Sequence, residues 1–359
     1  MKKGLLIAIF GILVGLTACT KVENGIGYGR ISYAVGNYAT ATKASPYRDA
    51  EGLDSFKSRA FIHAEGAEEG SEYYTSAIMW DGTTETWSPT HDYYWPKHPQ
   101  SYLNFVSWYA NDGSADIEPA TISETVFEIT GRTIGANDVI LIAEEAWRQQ
   151  SNQVTYYTSG VPTLFHHLLT RIKLNIMVTT LTDPEISGVT YEVRVQDIHF
   201  EGIFRKGDLK LSNADIASAG TRAWYSTASP TYLWTSVSGS NSDDIAVLDT
   251  DTSLSTTPLT VLEERSLLPQ NIEDGIKLNI TYSVTTRSNG VITSTETGIP
   301  AVIVMNTIKN ASSMAITQWL PNKKYTYNIA INPVGREILL NPVVESEWSF
   351  AEDINITVE

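Results

Sequence analysis

The sequence IKLNITYSV, residues 276–284, alternates strictly between apolar and polar side chains. Successive side chains of a β-strand point to opposite faces, so this period predicts a strand with one face on a core and the other in water. The same alternation occurs in IKLNIMV, residues 172–178, and in YTYNIAIN, residues 325–332. Long helical periodicity is almost absent, and these three runs therefore favour a β-protein.

In a further run the parity of the apolar residues changes. Val193 and Val195 share one face, whereas Ile198 and Phe200 have the opposite parity. An extra residue near positions 196–197 would return all four side chains to one face, as a β-bulge does. We therefore predict a bulged strand here.

Turn-rich breaks separate the apolar runs about every 10–15 residues, which is typical of β-sandwiches. The 359 residues are enough for two domains. A polar stretch over residues 148–160 is the predicted boundary. We expect an all-β fold with two β-sandwich domains in tandem, residues 19–160 and 161–359, behind a signal peptide at residues 1–18.

The N-terminus resembles the signal peptide of a bacterial lipoprotein. Lys2 and Lys3 precede a short apolar run, and Leu16-Thr17-Ala18-Cys19 follows in the pattern of a lipobox. Cys19 is the sole cysteine, and it stands at the position where the thiol is acylated. The alternative is an ordinary signal peptide followed by a cysteine that is not acylated. We expect a lipid anchor in the outer membrane and no other membrane contact, because several acyl chains suffice for stable anchoring.

The charge balance restricts the partners of the chain. The formal net charge is −16, from 41 acidic and 25 basic residues. Nucleic-acid binding depends on basic surfaces, so we expect no nucleic-acid partner. The same acidity argues against electrostatic adhesion to anionic lipid.

The chain has few residues arranged for chemistry. None of its six histidines belongs to an HExxH motif, and the adjacent His166 and His167 would point to opposite faces of a strand. Neither a GxSxG elbow nor a P-loop occurs. A glycosidase would need two carboxylates about 5–10 Å apart, and the sequence identifies no such pair. We therefore expect no metal, no cofactor and no enzymatic activity.

Aromatic side chains crowd the region from residue 80 to residue 109. One interpretation is a platform that stacks sugars, with Trp80, Trp87 or Trp95 exposed, which would make the protein a surface glycan-binding lipoprotein. The other is a core that uses large rings to bury area without disulfides. The core interpretation is favoured.

Several motifs follow one another in a fixed order over residues 26–350. They are Tyr94-Trp95-Pro96, Leu103-Asn104-Phe105, Trp108-Tyr109, Asp138-Val139-Ile140-Leu141-Ile142-Ala143, Phe165-His166-His167-Leu168-Leu169-Thr170-Arg171-Ile172, Leu267-Leu268-Pro269-Gln270, Trp319-Leu320-Pro321-Asn322-Lys323-Lys324-Tyr325-Thr326-Tyr327 and Trp348. In this order, behind a lipobox, they resemble the fimbrillin family of Bacteroidales, the type V pilins and their Mfa-like relatives.

The resemblance implies two transthyretin-like β-sandwich domains and export as a lipoprotein. It also implies assembly into a fimbrium on the cell surface by donor-strand exchange, as a structural subunit or a tip adhesin. The implied partners are other fimbrial subunits, with a host glycan or protein as a further partner. In that mechanism a strand of one subunit fills the groove left by a missing strand of the next.

Under this resemblance, the strand expelled on maturation would be residues 26–35, with Ile31, Tyr33 and Val35 facing inward. Maturation would cut after an arginine in the polar segment that follows. Arg48 is the first candidate because polar residues flank it, and Arg59 is the second.

The donor would be the C-terminal segment, in which apolar side chains alternate near the end of the chain. The alternative is that this segment completes its own domain. The candidate donor residues are Ile338, Leu340, Val343, Trp348, Ile354, Ile356 and Val358.

Overall fold

The computed structural model describes residues 29–37, 53–64, 67, 70–97, 101–143, 146–150, 160–212, 234–237, 245–248, 250–272, 275–309 and 315–345. Within these residues the chain forms β-strands and a single-turn 3-10 helix, Met305–Thr307. The predicted all-β fold is confirmed.

The strands are numbered in chain order. Those of the first half are β1 (Tyr33–Asn37), β2 (Ser55–His63), β3 (Ser71–Asp81), β4 (Thr86–Pro89), β5 (Tyr102–Asn111), β6 (Thr121–Ile122), β7 (Val126–Thr133), β8 (Val139–Ala143), β9 (Ala146–Gln150) and β10 (Val161–His167). Those of the second half are β11 (Thr170–Val178), β12 (Val189–Glu201), β13 (Lys206–Ser212), β14 (Trp234–Val237), β15 (Ile245–Leu248), β16 (Thr252–Ser253), β17 (Leu259–Leu267), β18 (Gln270–Asn271), β19 (Lys277–Ser288), β20 (Val291–Val304), β21 (Gln318–Trp319), β22 (Lys324–Asn332) and β23 (Glu337–Glu345).

The first sheet closes on itself. Its strand order is β2-β3-β4-β1-β10-β8-β5-β9, and an additional pairing joins β2 to β5. The pairings therefore form a ring, β2-β3-β4-β1-β10-β8-β5. In this ring β1 is the link between β4 and β10, because it pairs with both.

The interior of the ring is an apolar core to which each of its strands contributes. This ring core contains Tyr33 and Val35 of β1, Phe56 of β2, Tyr74 of β3, Trp87 of β4, Leu103 and Phe105 of β5, Leu141 of β8, and Val161 and Phe165 of β10. The alternate side chains of β5 and β8 point outward and are buried as well.

A second layer, of strand order β14-β13-β7-β6, covers that outer face. Val106 and Trp108 of β5 pack there with Phe127 of β7 and Leu209 of β13. Both faces of β5 are thus buried, which explains why the sequence of this strand is apolar almost throughout.

Most other strands of the second half form a two-layer sandwich, and β18 and β21 form a separate two-stranded sheet. One sheet has the order β17-β11-β22-β23, and the other has the order β15-β12-β19-β20. The core between them holds Ile172 and Leu174 of β11 and Leu278 and Ile280 of β19, all on the apolar faces that the alternation predicts.

The predicted β-bulge is confirmed. The pairing of β12 with β19 shifts register between Val195 and Asp197, so Gln196 is the extra residue. Val193, Val195, Ile198 and Phe200 consequently all lie in the core of the sandwich.

The sheet organisation differs from the division expected at residue 160. β10 begins at Val161 but pairs with β8 and β1, so it belongs to the ring. β13 lies far beyond the expected boundary, yet it pairs with β7. The polar stretch at residues 148–160 suggests a boundary, but the strand that follows it belongs to the first sheet. Local composition does not show which distant strands pair.

Candidate strand-docking site

The main chain of β1 is held on both sides. It runs parallel to β10, with Tyr33 opposite Val161, and antiparallel to β4, where Tyr33 lies opposite Trp87. Just before the strand, the N–H of Ile31 donates to the carbonyl oxygen of Tyr93 at 2.8 Å. The N–H of Val161 donates to the carbonyl oxygen of Ser32 at 2.7 Å. These bonds fix the register of β1 in the wall of the ring.

The inward side chains of β1, and of Ile31 just before it, fill the ring core. Ile31, Tyr33 and Val35 are buried, whereas Ser32 and Ala34 between them are half-buried. These are the three residues that the family resemblance implies as facing inward. Removing β1 would expose the surrounding core residues to water. It would also leave a row of backbone groups of β10, and those of β4 at Trp87, without partners.

Tyr33 is the polar member of this face. Its ring makes edge contacts with Phe56 and Phe105, at centroid distances of 5.5 Å and 5.9 Å. Its hydroxyl lies 2.9 Å from Oγ of Ser58 and 2.6 Å from the hydroxyl of Tyr74. Burial raises the pKa of the Tyr33 phenol, so the group is neutral and able to donate.

A segment before β5 covers the start of β1. The Tyr93 ring stacks on that of Tyr74, with centroids 4.1 Å apart. The ring of Trp95 meets Phe105 edge-on at 5.8 Å, and Arg30 forms an ion pair with Asp92. Aromatic contacts thus enclose this end of the docking site.

Gly160, immediately before β10, approaches the backbone of β1 closely. Its φ is +78°, a conformation that L side chains rarely adopt. A Cβ at this position would lie 2.7 Å from the backbone carbon of Tyr33, which is far inside contact distance. Glycine is therefore required for β1 to dock against the start of β10.

The tryptophans proposed as a sugar platform are mostly core residues. Trp87 and Trp95 are buried, at 0% and 2% exposure, so neither offers a ring face to a ligand. Trp80 is half-buried and packs on Trp87 at a centroid distance of 5.4 Å. The platform interpretation is therefore corrected for Trp87 and Trp95, whose rings stabilise the ring core.

Of the two arginines predicted as maturation sites, the structure describes Arg59 alone. Arg59 lies in β2, which pairs with β3 on one side and β5 on the other. Its guanidinium donates to Oγ1 of Thr75 at 2.8 Å and to the carbonyl oxygen of Ile122 at 3.0 Å. A protease needs an accessible, unpaired backbone, so this position is unsuited to cleavage. Arg48 and Cys19 lie outside the described residues.

The proposed donor residues fall into two groups. Ile338, Leu340 and Val343 belong to β23, which pairs antiparallel with β22. Ile338 and Leu340 pack against the sandwich core, whereas Val343 is 46% exposed. This segment completes its own sheet, as the alternative interpretation expects. Trp348, Ile354, Ile356 and Val358 lie outside the described residues.

Buried polar groups occur on the outer side of the ring as well. His63 lies between the side chains of Glu124 and Asn104, and its ring stacks on Tyr102 at 4.5 Å. Among the described residues no group of three or more His, Cys, Asp or Glu side chains is placed to hold a metal ion. The cluster joins β2 and β5 to the turn before β7, so its role is structural.

Two features of the docking site escape sequence reasoning. One is the hydroxyl group set around Tyr33, formed by Ser58, Tyr74 and Ser107, and the other is Gly160. Ser58 takes a buried position of β2 between the less buried Lys57 and Arg59, and Ser107 stands in the largely apolar strand β5, which is the only signal in the sequence. In the described part of the chain no helix is long and apolar enough to cross a bilayer.

Comparison with known proteins gives a family match. A family model described as fimbrillin-like matches residues 42–348. A search of curated protein sequences finds no significant relative.

Solved structures to which the chain is similar include two fimbrial proteins. A fimbrial protein from Bacteroides vulgatus is 16% identical, with a TM-score of 0.48, over 89% of this chain and 99% of that chain. The tip fimbrial protein Mfa3 from Porphyromonas gingivalis, with a C-terminal truncation, is 10% identical, with a TM-score of 0.37, over 82% of this chain and 94% of that chain.

Proposed function

Because the chain belongs to the fimbrillin-like family, we propose that it is a non-enzymatic fimbrial subunit or tip adhesin. Members of this family are fimbrial and adhesion proteins of the cell surface. The proposed mode of assembly is donor-strand exchange. In this proposal β1 is removed on maturation, and a strand from a neighbouring subunit takes its place.

The observation that carries the proposal is the place of β1 in the ring. β1 links β4 to β10, and the inward side chains of Tyr33 and Val35, together with Ile31 just before the strand, fill the ring core. A ring without β1 has an apolar groove flanked by unpaired backbone groups of both neighbours. A strand from another molecule satisfies both, because main-chain bonds set its register and alternate side chains fill the groove.

Cleavage within the segment between β1 and β2 would release β1 from the rest of the chain. Arg48 is the candidate, since Arg59 lies inside a paired strand. The new N-terminus would then be Asp49. The segment that carries Cys19 and its acyl group would leave together with β1, so lipidation would serve export to the outer membrane.

The donor in this proposal is the end of the chain. Ile354, Ile356 and Val358 alternate with polar residues, as a one-faced strand requires. They lie beyond β23, so the sandwich keeps its own edge strand when the tail is donated.

The test uses the native protein in its own cell. N-terminal sequencing of protein extracted from the surface should give Asp49, and protein that begins at lipidated Cys19 would contradict the maturation step. In parallel, deletion of residues 350–359 should abolish incorporation into polymers while the monomer stays folded. A variant that keeps the tail length but exchanges the polar Asn355 and Thr357 for serine is the matched control and should still polymerise. A tail deletion that polymerises normally would refute the donor role.

A further inference from the structure

The ring core next to β1 contains a cluster of four buried hydroxyl groups. Tyr33, Ser58, Tyr74 and Ser107 are all buried, and their hydroxyl groups lie together among aromatic side chains. Ser107 Oγ donates to Ser58 Oγ at 2.9 Å. Tyr33 Oη donates to the same Ser58 oxygen at 2.9 Å and lies 2.6 Å from Tyr74 Oη.

The proton count fixes the direction of these bonds. A phenol hydroxyl has one hydrogen, and that of Tyr33 is directed at Ser58. The short bond to Tyr74 must therefore use the Tyr74 hydrogen, with Tyr33 as the acceptor. Tyr33 is thus donor and acceptor at once, and it connects β1 to β2 and β3 through side chains as well as through the core.

A replacement strand without a hydroxyl at this position would bury these groups unpaired. Tyr74 then has no hydrogen-bond acceptor among the described residues, and Ser58 loses one of its two donors. A buried hydroxyl left without a partner costs about 1–3 kcal/mol, which is a factor of about 5–150 in affinity. An aliphatic replacement would also vacate the space between the Phe56 and Phe105 rings. The groove therefore discriminates between strands at one position.

We propose that this groove selects a partner strand with a tyrosine at its central inward position, flanked two residues away on each side by aliphatic side chains. The inference rests on the proposed strand replacement and adds a rule for which strand is accepted. The pattern is that of Tyr33 and Val35 in β1 and of Ile31 just before it.

The chain's own tail lacks this pattern. Its alternating apolar residues are Ile354, Ile356 and Val358, with isoleucine at the central position where the groove needs a hydroxyl. The occupant is therefore a strand of a different subunit, and the contact is heterotypic. Copies of this chain would not build a long filament by themselves.

The experiment measures strand replacement directly. A site for a sequence-specific protease is inserted after Ala44 of the full chain, the chain is cleaved, and the released β1 fragment is removed in urea. Refolding then takes place with one of four fluorescent peptides, and fluorescence anisotropy gives the affinity of each. The peptides are residues 29–37, the same with Tyr33→Phe, residues 352–359, and the same with Ile356→Tyr.

We expect Tyr33→Phe to weaken binding about tenfold and Ile356→Tyr to strengthen binding of the tail peptide about tenfold. In a second acceptor carrying Ser58→Ala, the preference for tyrosine should shrink. Ser76→Ala is the matched control, because Ser76 is a buried serine of β3 that bonds to the Ala77 carbonyl oxygen and Thr90 instead. It should leave the preference unchanged.

The outcomes separate the two proposals. If all four peptides enter equally well, strand replacement stands and the tyrosine rule is overturned. If none of the four peptides binds, including residues 29–37, strand replacement itself is refuted, and the tyrosine rule is refuted as well.

Discussion

The hydroxyl of Tyr33 on β1 and Oγ of Ser58 on β2 lie 2.9 Å apart across the interior of a closed ring of strands. The two strands are not neighbours in that ring, so this bond connects β1 to the opposite wall. It makes Tyr33 the residue whose loss should report most sensitively on β1 docking.

Tyr33→Phe should destabilise the protein by about 1–3 kcal/mol. Phenylalanine keeps the edge contacts with Phe56 and Phe105 but leaves Ser58 and Tyr74 without the Tyr33 hydroxyl to which both are hydrogen-bonded. Urea unfolding would measure the change in free energy. Tyr94→Phe is the control, because Tyr94 is 47% exposed and should change stability little. Equal effects of the two substitutions would contradict the role given to the buried hydroxyl.

Gly160→Ala should loosen β1 selectively. The substitution forces a side chain onto a φ of +78° and places a Cβ 2.7 Å from the Tyr33 backbone. Gly290→Ala separates the two causes, since Gly290 has a φ of +83° but no heavy atom within 4 Å of the added Cβ. The conformational cost alone is about 1–2 kcal/mol. Gly160→Ala should exceed Gly290→Ala in a urea titration and should speed amide exchange in β1. Comparable effects, with β1 still protected, would disprove the close approach.

Alkaline pH should weaken the ring core. Burial raises the pKa of Tyr33 and Tyr74, and in the sandwich it raises the pKa of Tyr325 from 10.0 to about 12. Above pH 10 the unfolded chain loses phenol protons that the folded chain retains, so it binds fewer protons. The stabilisation is therefore complete below pH 10 and decreases as the pH rises toward 12 and beyond. Unfolding free energy measured against pH should show this fall, and Tyr33→Phe should make it shallower. A flat profile up to pH 12 would contradict the burial of these phenols.

Trp87→Ala should cost about 3–5 kcal/mol, as large-to-small changes of buried aromatic residues do. Trp87 is fully buried between Phe56 and Trp80. Trp80→Ala should cost less because Trp80 is half-buried. Thermal unfolding of the two variants provides the comparison. A larger loss of stability for Trp80→Ala than for Trp87→Ala would contradict the assignment of Trp87 to the core.

Local sequence pattern predicted much of this fold because strand period and burial are local properties. The alternation over residues 276–284 placed Leu278 and Ile280 in the sandwich core, and the change of parity near Gln196 located the bulge. These features depend on neighbouring residues along the chain alone.

Long-range pairing was not predictable in the same way. β10 joins β1 and β13 joins β7 because distant apolar faces cover one another, and no local signal records that choice. The hydroxyl group set needs three strands to converge, so Ser58 and Ser107 gave only isolated hints in sequence. Trp87 and Trp95 could be assigned to the core only once the ring had closed around them.

The most direct test of strand replacement is to lock β1 in place. Ala34 lies opposite Pro162 in the parallel pairing of β1 with β10, and neither side chain is buried. Ala34→Cys with Pro162→Cys should form a disulfide, since paired strands bring Cα atoms within the required distance. The oxidised double variant should fold, reach the cell surface and fail to enter fimbriae, whereas its reduced form and the single variant Ala34→Cys should assemble. Normal assembly of the oxidised, locked protein would show that β1 stays in the ring and that the central claim is wrong.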